Sequence, residues 1–560
     1  MPRLAGRYAM IEQLLAEGVK YVFGNPGTTE QGFMDALQDY PQLEYILALH
    51  EGAATGIADG YARASGNPAF LQLHIMPGLG NAMGMLYNSY RQGTPLVVYA
   101  GQHPQRGNSQ EPILAGDLVR LAEPLTKWAV EAQDTAEIPV LLRRAFKSVQ
   151  EAPRGPVFLS VPTNVMDEQA EVDITPSNRA EHRNRPSPET TERLARMLAE
   201  AKAPIIIAGD GVSLSGGQGE LVQLAETLGA RVFTTFAAEL PFPSAHPLYA
   251  GLLAVVSEAM LKGQIASADL VLCVGTPVLT LLFPLEEPPF PASAKVIHID
   301  DDVREIGKNW TLDLGVLADP RMAMTDVLAA LERVRSPEQK QEAHQRADRV
   351  AAGGDQMMQA LDAAARARWD NQPMAAGRAL SEVADAMAPD TILYDESITS
   401  GGFLARYMRF PDTGRHYRAT GGGLGPGMPN PLGIKLARPD RPVLSVVGDG
   451  AAMYTIQALW TAAHHRIPVV WAIMNNASYR ILKLNMLEYL AEGAAGRRFV
   501  EMDLTGPDLD FSHIAASFGV KGVRIEHADQ IGDAVREAQA SGEPRLLDIV
   551  IDGDVKSRWL

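Results

Sequence analysis

Gly448-Asp449-Gly450 closes an apolar run, Val443–Val447, and Asn475-Asn476 closes the next one, Pro468–Met474. Asp449 and Asn476 are 27 residues apart, the length of one strand–helix–strand unit. Neighbouring parallel strands would bring them together at one carboxyl edge. A carboxylate, an amide oxygen and the main-chain oxygen of Ser478 would then form a hard oxygen site. Magnesium suits such an incomplete cage, with phosphate oxygens and water filling the octahedron. The glycines let a phosphate approach the backbone and the start of a helix expected near Ala452. Taken alone, Gly-Asp-Gly could equally be a turn. Gly209-Asp210-Gly211 serves as a control: 27 residues beyond Asp210 stands Ala237, with no asparagine pair. Only the second copy reads as a metal site.

Other chemically useful residues also follow apolar runs. His50-Glu51 follows Tyr45–Leu49 and opens the small-residue stretch Gly52-Ala53-Ala54. An isolated glutamate there would ordinarily be solvated and favoured by the helix dipole. Gly24-Asn25-Pro26-Gly27-Thr28 reads as a tight turn at a strand end, with a hydroxyl at its tip. His74 ends Leu71-Gln72-Leu73, ahead of Pro77-Gly78-Leu79-Gly80-Asn81. A lone histidine in this place is usually structural, yet its ordinary pKa suits proton transfer. Gln102-His103 follows Pro95–Gly101, where a surface loop is the plainer reading. Arg480 and Lys483 read as a solvated helix face rather than an anion site.

These residues need a scaffold of strand ends. The candidate strands of the first part are Tyr21–Gly24, Tyr45–Leu49, Ala69–Ile75, Pro95–Gly101 and Pro156–Val161, with helical patterns between them. Continuous apolar strands separated by helices imply parallel sheets covered on both faces. A Pro- and charge-rich stretch, Thr175–Glu189, reads as a linker. A second series follows (Pro204–Gly209, Arg231–Phe236, Leu270–Gly275, Val296–Asp300), ending in the polar, helix-prone Ser336–Asp348, expected to lead across the molecule. The third holds Thr391–Asp395, Val443–Val447, Pro468–Met474 and Leu546–Ile551. The expected fold is α/β, with three doubly wound parallel-sheet domains over 1–174, 190–335 and 370–560. The 560 residues carry a net charge of −17, which argues against nucleic-acid or anionic-membrane partners. A single cysteine, Cys273, excludes an intramolecular disulfide framework. With no apolar leader or spanning stretch in view, a cytoplasmic protein is expected.

Gly-Asp-Gly with Asn-Asn at this spacing resembles the motif of thiamine-diphosphate-dependent enzymes. The resemblance extends over all three domains and is nearest the benzoylformate decarboxylases, within the 2-oxo acid decarboxylase and acetolactate synthase group. It implies pyrimidine-binding, central and diphosphate-binding domains, in that order. It also implies thiamine diphosphate and Mg2+ held between two chains, hence a homodimer or homotetramer. Asp449, Asn476 and Ser478 would hold the metal. Glu51 matches the glutamate that hydrogen-bonds the cofactor pyrimidine and starts its proton relay. Thr28 matches a serine on the substrate carboxylate, and His74 a proton-transfer histidine. With Asn25, Pro26, His103, Leu282 and Ile481 they would line the substrate pocket. Leu424 of Gly421–Gly425 matches the apolar wedge that bends the cofactor. Gly423, Thr399, Gly450, Ala451, Tyr454 and Tyr479 complete the implied cofactor contacts.

The chain also departs from the pattern. Leu282 stands where benzoylformate decarboxylases carry a second histidine, which favours coupling to an acceptor carbonyl over protonation. Ile398 replaces a hydroxyl residue, and Tyr479–Asn485 differs from the family segment. Val296–Asp300 with Glu305–Asn309 is similar to acetolactate synthases, some of which hold FAD; FAD is not expected here. The resemblance implies decarboxylation of an aromatic or branched 2-oxo acid to an aldehyde, with an aldehyde as possible acceptor. The rival readings are an acetolactate-synthase-like carboligase, an FAD-containing 2-oxo acid oxidase, and a non-catalytic cofactor-binding scaffold.

Overall fold

The computed structural model describes residues 1–178, 183–254, 257–277, 284–490 and 497–555. Three six-stranded sheets carry it. In the first, the strands run in space Glu44–Leu47, Tyr21–Gly24, Ala69–Leu73, Leu96–Gln102, Val157–Pro162, Ala129–Glu131, every pair parallel. Ala69–Leu73 and Leu96–Gln102 are buried at every position, as continuous apolar strands covered on both faces must be. The strand order reverses between Tyr21–Gly24 and Ala69–Leu73. That is a topological switch point, where crossovers leave in opposite directions and open a crevice at the carboxyl ends.

The second sheet runs Tyr249–Leu252, Arg231–Thr234, Pro204–Ala208, Leu270–Val274, Lys295–Asp300, Leu314–Leu317. Its outer strands, Tyr249–Leu252 and Leu314–Leu317, are four residues long and each is interrupted by a glycine, so the sequence did not announce them. The stretch from Ser336 does not lead away as expected. Ser336 caps a 30-residue helix, Pro337–Arg366, whose Arg346 Nε donates to Leu228 O at 3.0 Å. Its first half therefore packs back on the second domain. In the third sheet Ile392–Glu396, Val443–Gly448, Val470–Asn475, Arg545–Val550 and Lys521–Ile525 pair in that order, all parallel.

By compactness the chain forms two units, Met1–Ala180 with Trp369–Phe403 and Arg418–Leu560, and Glu181–Arg368 with Leu404–Tyr417. Within the first, helix Glu51–Ser65 lies against helix Asn430–Ala437. The approach is backbone to backbone. A β-carbon on Gly60 would fall 2.1 Å from Asn430 O, and one on Gly433 1.9 Å from Ile57 O. The small residues after Glu51 thus have a packing reason, and they seat its helix on the third domain.

Candidate active site

The switch point of the first sheet gathers the first cluster. The turn Asn25–Thr28 leaves Tyr21–Gly24, and His74 leaves Ala69–Leu73 next to it. Gln72 ties the two by donating Nε2 to Asn25 O at 3.3 Å and pairing with the Tyr45 hydroxyl. His74 Nδ1 lies 2.9 Å from Glu30 Oε2 and 3.5 Å from Thr29 Oγ1. The turn therefore brings Thr29 to the histidine. Thr28, the expected hydroxyl, is exposed at the start of the short 3-10 turn Thr28–Glu30. Pro26 is exposed as well, and Asn25 is half-buried. Glu30, which sequence reasoning passed over, is fully buried. Its signal was an acid directly after a glycine turn, too common a pattern to stand out.

Glu51 is the first residue of helix Glu51–Ser65, and His50 Nδ1 caps the helix by accepting from Gly52 N at 3.0 Å. The solvated alternative does not hold, since Glu51 is only 6% exposed. Asn81 Nδ2 donates to its Oε2 at 3.0 Å, whereas Oε1 meets no protein donor among the described residues. Gly78 separates this carboxylate from His74: a β-carbon there would lie 2.9 Å from Glu51 Oε1 and 3.1 Å from His74 Cβ. Glu51 and His74 therefore both lie against Gly78. His103 Nε2 lies 2.7 Å from Ile113 O.

The second cluster lies at the carboxyl edge of the third sheet. Val443–Gly448 and Val470–Asn475 are neighbours, and the Asn476 N–H donates to Asp449 Oδ2 at 3.0 Å. Gly450 N donates to Oδ1 at 2.8 Å. The helix begins at Asp449, three residues before the expected Ala452, and runs to Ala452. Burial pushes the Asp449 carboxyl up to about 6, against the pull of the surrounding main-chain N–H groups. The two asparagines divide the work. Asn475 is structural, donating Nδ2 to Asp548 Oδ1 at 2.9 Å. The side-chain oxygen of Asn476 is buried with no partner, an arrangement that costs about 1–3 kcal/mol unless a ligand satisfies it. Ala477 takes a φ of +51° directly after it, so the chain turns sharply toward Ser478. A buried carboxylate and an orphaned amide oxygen fit a small hard cation. Among the described residues no three His, Cys, Asp or Glu side chains gather to hold a metal, so a mixed oxygen set is the form such a site would take.

The control copy behaves differently. Both Asp210 oxygens accept from Ala238 N, at 2.8 and 2.9 Å, which anchors a loop. Gly211 faces backbone rather than open space: a β-carbon on it would meet Gly275 Cα at 2.6 Å.

A glycine loop completes the second cluster. Glu396, fully buried, accepts from Gly425 N and Gly427 N, each at 2.7 Å. Burial pushes its carboxyl up to about 8, opposed by those two N–H groups. Asn88 clamps Gly423 from the first domain, accepting from its N–H and donating to its carbonyl, both at 2.9 Å. Leu424 between these anchors is half-buried, as is Thr399, while Tyr454 is 53% exposed. The Tyr479 ring lies over Gly450, where a β-carbon would meet its Cε1 at 2.5 Å. Ala451 and Ile481 are half-buried. Lys483 corrects an expectation. It is buried and paired with Asp503, so it lies on no solvated face, and its charge is already met. Leu282 lies outside the described residues.

Models of the thiamine pyrophosphate enzyme domains match the chain in order: N-terminal TPP binding domain over 5–120, central domain over 191–331, C-terminal TPP binding domain over 399–549. The chain belongs to the thiamine pyrophosphate enzyme family. Benzoylformate decarboxylase of Pseudomonas aeruginosa is 32% identical over 97% of this chain and 98% of that one. A "Probable acetolactate synthase large subunit" of Methanocaldococcus jannaschii is 31% identical over 98% of this chain and 92% of that one. Among solved structures, the thiamine diphosphate-dependent 4-hydroxybenzoylformate decarboxylase of Rhodococcus jostii superposes with a TM-score of 0.84 at 28% identity, covering 98% of this chain and 100% of that one. The chain is thus a thiamine-diphosphate-dependent enzyme of the group that contains decarboxylases and acetolactate synthases. Among the described residues no helix is long and apolar enough to cross a membrane.

Proposed function

We propose that this enzyme uses thiamine diphosphate and Mg2+ to decarboxylate an aromatic or branched 2-oxo acid, of the benzoylformate kind, to its aldehyde. The observation that carries the reading is Glu51: buried, held by Asn81 through one oxygen and open at the other, with His74 across Gly78. A scaffold has no use for a desolvated acid beside a histidine. When bound, thiamine diphosphate supplies a sink for the electron pair left as carbon dioxide departs.

In this reading the domains are 1–174, 190–335 and 370–560. Glu51 holds and returns a proton at the cofactor pyrimidine. His74 moves a proton at the substrate, and Thr28 binds the substrate carboxylate. Asn25, Pro26, His103 and Ile481 border the substrate. Asp449, Asn476 and the Ser478 carbonyl hold the cation. Thr399, Gly423, Leu424, Gly450, Ala451, Tyr454 and Tyr479 seat the cofactor. Two copies of the chain complete each site, in a cytoplasmic homodimer or homotetramer. Leucine at position 282 supports a share of carboligation, because it offers no proton.

The test is carbon dioxide release from a panel of aromatic, branched and short 2-oxo acids, with magnesium and thiamine diphosphate, in wild type and Glu51→Gln. Release should require both cofactors and fall by at least about 100-fold in the variant. Free aldehyde against coupled hydroxyketone separates decarboxylase from ligase. No release from any acid, with cofactor bound, would overturn the reading.

A further inference from the structure

We propose that Glu30 is the positioning residue that fixes the tautomer of His74, placing the proton on Nδ1 and leaving Nε2 as the acceptor in the pocket. Glu30 is 44 residues from His74 in sequence and buried completely. Its carboxylate receives four donors. Gly101 N reaches Oε1 at 2.8 Å and the Thr29 hydroxyl reaches it at 2.7 Å. Gly27 N reaches Oε2 at 3.1 Å, and His74 Nδ1 lies 2.9 Å from the same oxygen. An ionised carboxylate only accepts and has about four lone-pair sites, so this one is saturated. Two of these donors, Gly27 N and Gly101 N, are main-chain N–H groups that cannot reverse their role. The histidine must then donate, from Nδ1, whatever its charge. Thr29 agrees with this polarity: its proton goes to Glu30, so the lone pair of its oxygen, 3.5 Å away, faces the imidazole N–H.

The ring is packed on one side by the turn. A β-carbon on Gly27 would fall 1.9 Å from His74 Nδ1, so the glycine turn lies directly against the imidazole. The other titratable groups around the pair are Tyr45 and Tyr99, whose phenols burial and the Glu30 charge hold well above their ordinary pKa, and Glu51 beyond Gly78. Neither phenol competes as a base. Nε2 is left without a protein partner among the described residues, on a side chain 21% exposed. The arrangement belongs to the general logic in which a buried acid orients a histidine without itself taking the proton. What Nε2 does to a substrate rests on the proposed function; the tautomer does not.

Neutron diffraction on deuterated, cofactor-loaded crystals reads the tautomer directly. Wild type should show a deuteron on His74 Nδ1 and none on Glu30 Oε2. In Glu30→Gln an amide faces Nδ1, so the deuteron should move to Nε2, and kcat should fall by at least about 100-fold with KM changed far less. Glu30→Asp keeps the charge, so it should keep the wild-type tautomer and recover part of the rate, and it serves if Glu30→Gln fails to fold. In a His74→Ala background, adding Glu30→Gln should cost nothing more in kcat. A deuteron on Glu30 or on Nε2 in wild type, an unmoved deuteron in Glu30→Gln, or additive losses in the double variant would each overturn the assignment. If wild type consumes no 2-oxo acid, the function falls while the neutron map still decides the tautomer.

Discussion

Asn476 donates its main-chain N–H to Asp449 Oδ2 at 3.0 Å, while its own side-chain oxygen is buried with no partner. The relationship joins two strand ends and leaves one oxygen unused. Replacing Asp449 with Asn keeps the size but removes the charge a cation needs. Asp449→Asn should fold normally and lose at least about 10-fold in magnesium-dependent cofactor affinity. Calorimetric titration of thiamine diphosphate with and without magnesium checks it. Equal affinity in the variant would remove Asp449 from the metal site.

Gly78 should tolerate a methyl group in stability and not in activity. In Gly78→Ala the new carbon meets Glu51 Oε1 at 2.9 Å, the tip of a side chain that can yield. Crowding of about 1–3 kcal/mol is offset by about 1 kcal/mol of helix propensity. Melting temperature should therefore move little. Displacing Glu51 should lower kcat at least about 10-fold, as steady-state kinetics beside a thermal melt would show.

The Asn88 clamp ties the glycine loop to the first domain. Asn88→Ala leaves the N–H and carbonyl of Gly423 without those partners, a loss of about 1–3 kcal/mol by denaturant unfolding. Because the loop carries Leu424, the dissociation constant for thiamine diphosphate should rise several-fold. Unchanged affinity with reduced stability would make the clamp purely structural.

Glu396 makes stability depend on pH in a defined direction. Its folded carboxyl is raised from 4.5 to about 8 by burial. Between those values the native state holds a proton that the unfolded chain releases. The contribution of Glu396 to stability is thus fullest below about 4.5 and is lost as pH rises toward 8, by up to about 1.4 kcal/mol per pH unit. Glu396→Gln cannot ionise. Urea unfolding from pH 5 to 8 should show wild type losing stability relative to the variant as pH rises. A constant difference across that range would refute the assignment.

Much of the scaffold was legible before any coordinates. The apolar run Pro95–Gly101 marks a strand buried on both faces, because a polar side chain there must find a hydrogen-bond partner. The 27-residue spacing of Asp449 and Asn476 marks neighbouring strand ends, because one strand–helix–strand unit has that length. Glu51 was legible from the small residues after it, which the structure shows packed against another helix backbone. The short outer strands Tyr249–Leu252 and Leu314–Leu317 were not legible, since each is four residues long and interrupted by a glycine.

By itself, then, the sequence determined three parallel-sheet domains and which candidate residues stand at strand ends, because local periodicity and loop length suffice for both. Only the tertiary structure decided that Asn476 and not Asn475 keeps a free oxygen, and that Lys483 is spent on Asp503. It alone put Thr29 rather than Thr28 beside His74, and Glu30 beneath it. Those outcomes depend on burial and on hydrogen-bond partners supplied by distant parts of the chain, and neither is encoded in the spacing of neighbouring residues.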